Sequence, residues 1–211
     1  EFRRVVFRSI VNELDGRVPK NSPNFFVLDL PRDDVAGFRG LVEKEVPGAI
    51  VNQAPMLRGR IVALKGRPVE ELKAPPEAAW VLNGDRGLSY SDEVPEGSTV
   101  VAGQWWAKDY SGEPLVSFED EIARRLGLDI GDAVTVNVLG RNITARIANL
   151  RDVHWESLAI NFVMVFSPNT LQAAPHNILA TISLDPATSL AKEAQLARAI
   201  GQAYPATTAI R

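Results

Sequence analysis

The sequence predicts an α+β protein in which two βαβ units, one near each end of the chain, enclose a middle part that is mainly β. Residues 24–30 and 178–184 are apolar and β-prone, and each is followed by a helical pattern and then by a second extended stretch. Between them, short apolar runs alternate with turns rich in Gly, Pro, Asn and Asp. Two such units can share one sheet with both helices on the same face, in a split βαβ arrangement, and the middle part is then an insertion.

We therefore predict two domains. Residues 1–68 and 172–211 form a discontinuous α/β domain built from the two βαβ units. Residues 69–171 form an inserted β-rich domain that carries one short helix.

The chain opens with an amphipathic helical pattern, whose apolar face consists of Phe2, Val6, Ile10 and Leu14. Either this helix packs on its own domain, or it continues a membrane helix into water. Because the chain begins at Glu1 without Met, we interpret it as a piece of a longer protein, although a trimmed soluble protein explains the same start equally well.

The helices of the two βαβ units have recognisable ends. In the first unit, Asp33 and Asp34 lie in the first turn of a helix that precedes an extended stretch at residues 49–51. In the second unit, Asp185 and Pro186 are expected to open a helix that leads to a last strand at residues 207–210. The predicted apolar faces are Val35, Phe38 and Val42 in the first helix and Leu190, Ala194 and Ala197 in the second.

In the inserted part, Ser117 is predicted to cap a helix with Phe118, Ile122 and Leu126 on one face, and a left-handed Gly127 is predicted to end it. A β-hairpin follows and turns at Gly140. Residues 70–77, which include Pro75 and Pro76, read as a loop or linker. The remaining strands are predicted at residues 59–64, 80–82, 87–90, 99–102 and 162–166.

The composition excludes several classes of function. The chain has 211 residues, 45% of them hydrophobic, a formal charge of −3 and no cysteine. Scattered basic residues and an acidic balance argue against nucleic acid as a partner. The lack of cysteine excludes disulfides and thiolate metal sites but fits either a reducing or an oxidising compartment. No apolar run approaches the roughly 20 residues that span a bilayer.

Motifs of catalysis are also missing. The sequence has no GxSxG, GxxxxGK[ST], GxGxxG or HExxH, and it has only two histidines, His154 and His176. A hydrolase that pairs His154 with Ser157 or with another serine is the one catalytic alternative. The acidic residues 119–121 favour a helix N-terminus rather than a metal site, because consecutive helical side chains diverge by about 100°. We predict no catalytic, cofactor-binding or metal-binding residues.

The most unusual feature is Trp105 and Trp106, which follow an apolar strand and precede Tyr110. Neighbouring strand residues face opposite ways, so one indole is expected in the core and the other at the surface. An exposed indole suits a surface for a partner or substrate, although it can also cover the join between the two domains.

Four stretches together resemble a known family: PMLRGRIVALKGRPV (55–69), LSYSDEVPEGSTVVAGQWW (88–106), VSFEDEIARRLGLDIGD (116–132) and RDVHWESLAINFVMVFSP (151–168). They resemble the extracytoplasmic, MacB-like periplasmic core domain of bacterial ABC transporter permeases of the FtsX/MacB type, and most closely the YbbP-like group. These motifs are structural rather than catalytic.

The resemblance implies a non-enzymatic domain on the periplasmic side of the bacterial inner membrane, set between the transmembrane helices of a permease. It implies a cytoplasmic ATP-binding subunit as partner, and a periplasmic hydrolase, a lipid or a lipoprotein as further partners or substrates. The domain then transmits conformational change, or docks partners, during transport or extraction of hydrophobic material. The alternative is a stand-alone periplasmic module that binds a ligand or lipid in a groove between the two domains.

Overall fold

A computed structural model describes residues 22–210 of the chain. The strands are β1 (Phe25–Pro31), β2 (Ile50–Leu64), β3 (Arg67–Pro68), β4 (Arg86–Tyr90), β5 (Ser98–Gly103), β6 (Leu115–Glu119), β7 (Ala133–Val138), β8 (Arg141–Val153), β9 (Met164–Phe166), β10 (Asn177–Ser183) and β11 (Thr208–Ile210). The helices are α1 (Val35–Glu45), α2 (Pro76–Leu82), α3 (Asp120–Arg125), α4 (Pro168–Leu171) and α5 (Leu190–Ala203). The predicted mixture of strands and helices is confirmed. The predicted entry helix at residues 2–14 lies outside the described residues.

Four antiparallel strands, in the order β11, β1, β10, β2, form one end of the molecule. Alternate residues of these strands point to one face, where α1 and α5 cover them. We call the resulting cluster the smaller core; its buried members include Phe25, Leu30, Phe38, Ile182 and Ile200.

The other end is a closed ring of six strands, in the order β2, β4, β9, β6, β8, β7 and back to β2. Strand β5 pairs with β8 outside the ring. Inward residues of the ring strands form the larger core, which includes Leu88, Phe118, Val136, Ile147 and Phe166. Within the ring each strand has a partner on both sides, whereas residues 50–56 of β2 extend beyond the ring and pair with β10 alone.

Strand β2 joins the two cores without a break. Residues 50–56 pair with β10, and residues 57–64 pair with β4 and β7. Pro55 lies where β2 has a partner on one side only, and a missing backbone N–H is tolerated there. Gly59 pairs with both β4 and β7, and an added Cβ there would lie 2.7 Å from Leu88 Cδ1 and 2.8 Å from the Asn137 carbonyl oxygen. Glycine at position 59 therefore allows both β4 and β7 to pack closely against β2 at this point.

Two strands predicted in the middle part of the chain differ from those observed: one is a helix, and the other is part of a longer strand. Residues 80–82 belong to helix α2, in which Pro76 occupies the first helical position. Pro is well suited to that position because its fixed φ matches a helix and its missing N–H would have no partner there. The predicted strand at 59–64 is the second half of β2 rather than a separate strand.

The predicted cap of the central helix is also wrong. Ser117 and Phe118 lie in strand β6 and are fully buried, and α3 begins only at Asp120. Its N-cap is Glu119, whose carboxylate accepts a hydrogen bond from the Ile122 backbone N–H at 2.7 Å. Similarly, α5 is capped by Ser189, so Asp185 and Pro186 lie in the turn before that helix.

The left-handed conformation predicted for Gly127 is confirmed by its φ of +66°. Nothing lies within 4 Å of the position that a Cβ would take, so a substitution there acts on the backbone alone. Gly127→Ala should lower the free energy of unfolding by about 1 kcal/mol. Urea unfolding measures this difference, and an unchanged midpoint would show that the helix end tolerates a side chain.

Candidate functional site

The tryptophan pair lies directly after β5, where the backbone leaves the sheet. Gly103 ends the strand with a φ of +75°, so the alternation of side chains stops before Trp105. The two indoles therefore stack on each other, with ring centroids 4.2 Å apart and ring planes 32° apart. The expectation that they face opposite ways is wrong, since neither lies in a strand. Trp106 is 7% exposed and Trp105 is half-buried.

Both indoles hold the loop at residues 91–97. The indole N–H of Trp105 donates to the Asp92 carbonyl oxygen at 3.0 Å, and that of Trp106 donates to the Ser91 carbonyl oxygen at 2.9 Å. Lys108 adds an exposed contact to the same loop, with Nζ 3.2 Å from Glu93 Oε1. We call residues 91–97 together with the two tryptophans the tryptophan surface. Tyr110 lies near it in sequence, but its hydroxyl donates to the Glu113 carbonyl oxygen within its own turn.

Iodide quenching reports the different exposure of the two indoles. Trp105→Phe should remove a component of the emission that iodide quenches, because the Trp105 ring is partly open to solvent. Trp106→Phe should remove a protected component, because that ring is buried. Stern–Volmer plots of the two variants measure the difference, and equal slopes would contradict the burial described here.

Beneath the tryptophan surface lies a buried polar network centred on Arg151, which is fully buried in β8. Its Nε donates to Ser117 Oγ at 2.6 Å, and its two Nη atoms donate to Asn161 Oδ1 at 3.0 Å and to the Phe162 carbonyl oxygen at 2.9 Å. Burial lowers the pKa of Arg151 to about 10, although the negative charge of Glu119 acts to raise that pKa. The guanidinium therefore stays protonated at neutral pH and needs these acceptors.

The network reaches the tryptophan surface at two points. Asn149 accepts a hydrogen bond from the Ser117 hydroxyl through its Oδ1. Its Nδ2 donates to the carbonyl oxygen of Gln104, the residue before Trp105, at 3.2 Å. Asn161 donates through Nδ2 to the Glu96 carbonyl oxygen at 2.6 Å. Arg151 therefore positions both the start of the tryptophan segment and the loop that it contacts. No motif in the sequence indicated this role of Arg151.

Glu119 is the second buried ionisable group in this region, with 4% of its surface exposed. Burial raises its pKa, and the hydrogen bond from the Ile122 backbone N–H opposes that rise. Its neighbours Asp120 and Glu121 form ion pairs with Arg124 and Arg125 one helical turn away. Residues 22–210 contain no group of three acidic or histidine side chains arranged to hold a metal ion.

Residues 22–210 do not assemble a serine hydrolase site around His154. Its Nε2 lies 3.5 Å from Asp152 Oδ2, and both side chains are exposed. Ser157 bonds to His154 through backbone atoms, and its hydroxyl accepts from the Ala159 backbone N–H. His176 bonds through Nδ1 to the Ala174 carbonyl oxygen at 2.7 Å and through Nε2 to the Tyr90 hydroxyl at 3.0 Å. His176 thus links β4 through hydrogen bonds to residues 174–176, which precede β10 of the smaller core.

Comparison with known proteins relates the chain to a permease. The chain is 30% identical over 174 residues to an uncharacterised ABC transporter permease, YbbP, of Escherichia coli K12. This alignment covers 82% of the present chain and 20% of YbbP. The chain thus spans about a fifth of the length of this relative. The resemblance to YbbP-like permeases that the sequence motifs indicate is confirmed. No family model matches the chain.

Two solved structures are similar in fold. One is the periplasmic region of MacB from Actinobacillus actinomycetemcomitans, with 10% identity, a TM-score of 0.44, and coverage of 96% of this chain and 94% of that one. The other is described as a permease domain from Porphyromonas gingivalis, with 13% identity, a TM-score of 0.42, and coverage of 81% and 79%. Among residues 22–210, no helix is both long and apolar enough to cross a membrane.

Proposed function

From the relationship of the chain to the YbbP type of ABC transporter permease, we propose that it is a periplasmic, non-catalytic domain of such a permease. The observation that carries this proposal is the match over 174 residues, which spans 82% of the chain. The parent protein is then embedded in the inner membrane and works with a cytoplasmic ATP-binding subunit. A periplasmic hydrolase and a lipid or lipoprotein substrate are proposed as further partners, and no cofactor is required.

In this role the domain transmits conformational change between its two ends. Support comes from β2, which is hydrogen-bonded to β10 in the smaller core and to β4 and β7 in the larger core. A continuous strand that is paired along its length passes a displacement of one core to the other as a rigid body, and such coupling needs no titrating active site.

Two glycines inserted between Met56 and Leu57 test this role in the complete permease with its ATP-binding subunit. A dye on Val101→Cys, at a position of β5 that is 51% exposed, should report movement of the strands around the larger core when ATP is added. The insertion should remove that signal while ATP hydrolysis continues. The same insertion at the exposed hairpin tip, between Leu139 and Gly140, is the matched control and should leave the signal intact. An unchanged signal in the β2 insertion would refute mechanical transmission through β2.

The tryptophan surface is proposed as the contact for a partner or substrate, with Trp105 as its partly exposed aromatic residue, Trp106 as the buried ring that packs against it, and Tyr110 as a neighbouring aromatic residue. It is supported by the partial exposure of Trp105 and by Val94, which is 39% exposed in the loop that the indoles hold. Half-exposed aromatic residues on a rigid support are typical anchors of protein interfaces.

We also propose the split βαβ description for the smaller core, with domains at 1–68 plus 172–211 and at 69–171. The strand order β11, β1, β10, β2 supports it, since each helix connects two strands that are separated by a third. Residues 57–64, however, pair with β4 and β7 of the larger core, so we propose the first boundary within β2, between residues 56 and 57, rather than at residue 69.

A ligand-binding module is the second candidate function, because a groove of about 320 Å³ lies between the two cores. Its lining includes Arg39, Gln53, Ser89 and Phe162. Arg39 is held there by a bond from Nε to Gln53 Oε1 at 3.0 Å. Binding of a fluorescent lipid by the isolated chain, and its loss in a Phe162→Glu variant, would favour this candidate. Lack of binding at high lipid concentration would count against it.

A further inference from the structure

A larger cavity lies beside the larger core, and its lining shares no described residue with the tryptophan surface or with the groove between the cores. Its volume is about 520 Å³, within the range of small-molecule sites. Its walls are the turn between β2 and β3, residues 71–74, and the C-terminal ends of α2 and α3. We call it the hairpin cavity.

The floor of the hairpin cavity is aliphatic. Leu64, Leu82 and Leu128 belong to the larger core and are no more than 9% exposed, and Leu72 and Leu126 pack against them. Among residues 22–210, no aromatic side chain lines the cavity. A flat ring system therefore finds no stacking partner there, whereas a flexible alkyl chain finds continuous apolar surface.

The rim of the cavity is basic, although the chain as a whole carries a charge of −3. Two of the rim cations already have partners: Lys65 Nζ lies 3.0 Å from Asp132 Oδ2, and Arg125 pairs with Glu121. Arg67 and Lys73 are exposed, and neither forms an ion pair with any residue in the range 22–210. The acidic lining residue is Glu71.

We infer that the hairpin cavity binds small amphiphiles that carry one anionic head group and one alkyl chain. The alkyl chain lies along Leu72, Leu82 and Leu126, and the head group meets Arg67 and Lys73. Carboxylate and phosphate head groups share this chemistry, since both accept charge-assisted hydrogen bonds from guanidinium and ammonium groups.

Calorimetric titration of the 211-residue chain with octanoate, decanoate and dodecanoate, below the concentrations at which they form micelles, tests the inference. Burial of each added methylene should tighten binding about fourfold, as expected from the free energy of transferring a CH₂ group. The matching alkyl phosphates distinguish the two head groups, and tighter binding of either series supports an anion site.

Charge-reversal variants locate the site. Arg67→Glu combined with Lys73→Glu should weaken binding by about tenfold or more at low salt, because the head group then faces two carboxylates. Lys44→Glu combined with Lys192→Glu changes the net charge equally at exposed positions of α1 and α5, and should leave the affinity unchanged.

Three results would overturn the inference: no binding heat with either series, an affinity independent of chain length, or equal losses in the two double variants. None of them bears on the permease proposal, which rests on the relationship in sequence rather than on this cavity.

Discussion

Replacement of Arg151 by alanine should lower the free energy of unfolding by about 3–5 kcal/mol, the loss expected when one partner of a buried charged network is removed. The guanidinium is fully buried and holds Ser117, Asn161 and the Phe162 carbonyl oxygen. Alanine leaves these acceptors without a donor in an apolar environment and also creates a cavity. Urea unfolding, followed by circular dichroism, measures the difference.

Arg151→Lys is the matched control for charge. Lysine keeps the positive charge but cannot place donors toward three separate acceptors as the planar guanidinium does, so it should recover only part of the stability. Because the network also supports Gln104 and Glu96, both variants should change the emission of the tryptophan pair in the folded state. A loss below about 1 kcal/mol for alanine, the value of one ordinary hydrogen bond, would show that the network is dispensable.

Gly103→Ala should destabilise the chain by about 3 kcal/mol, because two penalties coincide at this position. Its φ of +75° is unfavourable for alanine, and an added Cβ would overlap the Ala148 carbonyl oxygen on β8. That oxygen belongs to backbone in a paired strand, so it cannot move aside as a flexible side chain would. The variant should also separate the stacked indoles, because Gly103 directs the chain out of β5 just before them.

Gly40→Ala is the matched control for this substitution. Gly40 lies within α1, and nothing lies within 4 Å of its Cβ position. Alanine should therefore stabilise the chain by about 0.5–1 kcal/mol through helix propensity. If both variants shift the unfolding midpoint alike, the special geometry assigned to Gly103 is wrong.

The βαβ units at the two ends of the chain were predictable because their signals are local. The run at 25–30 is followed by Pro31 and then by two Asp residues, and the run at 177–183 is followed by a helix. The apolar face predicted for that helix is wrong, because Leu190 is 68% exposed and Ala194 is also exposed. The buried residues of the helix are Glu193, Leu196 and Ile200. Local spacing could not show that residues 50–64 form one strand, because the change of partners along β2 depends on residues far away in sequence.

Two predictions, for the helix at residues 118–126 and for the tryptophan pair, are wrong for the same reason. In both, contacts with residues far away in sequence override the local preference for a helix or a strand. Phe118, Ile122 and Leu126 recur at helical spacing, yet Phe118 belongs to β6, because its neighbours in the fold are β8 and β9. Trp105 and Trp106 follow a strand-like run, but the positive φ of Gly103 ends the strand, and a sequence does not reveal on which glycine that happens.

The importance of Arg151 could have been recognised from its position in the strand. Ala145, Ile147, Asn149, Arg151 and Val153 of β8 are all buried, although a register shift between Ile147 and Asn149 brings Leu150 into the larger core in place of Asn149. An arginine and an asparagine at buried positions of a strand need hydrogen-bond partners. Which residues pair with them was not predictable, because Asn161 and Phe162 lie in a loop whose path is set by the fold.

Labelling of a single cysteine tests the periplasmic assignment most directly. The chain contains no cysteine, so Leu139→Cys, at a hairpin tip that is 67% exposed, introduces its only thiol. Val136→Cys, at a position with no exposed surface, is the buried control and should stay unlabelled in the folded protein. In cells that produce the complete permease, with cysteines outside this chain removed, a membrane-impermeant maleimide that enters only the periplasm should label Cys at position 139. Labelling only after the inner membrane is opened would contradict the proposal and place the domain in the cytoplasm.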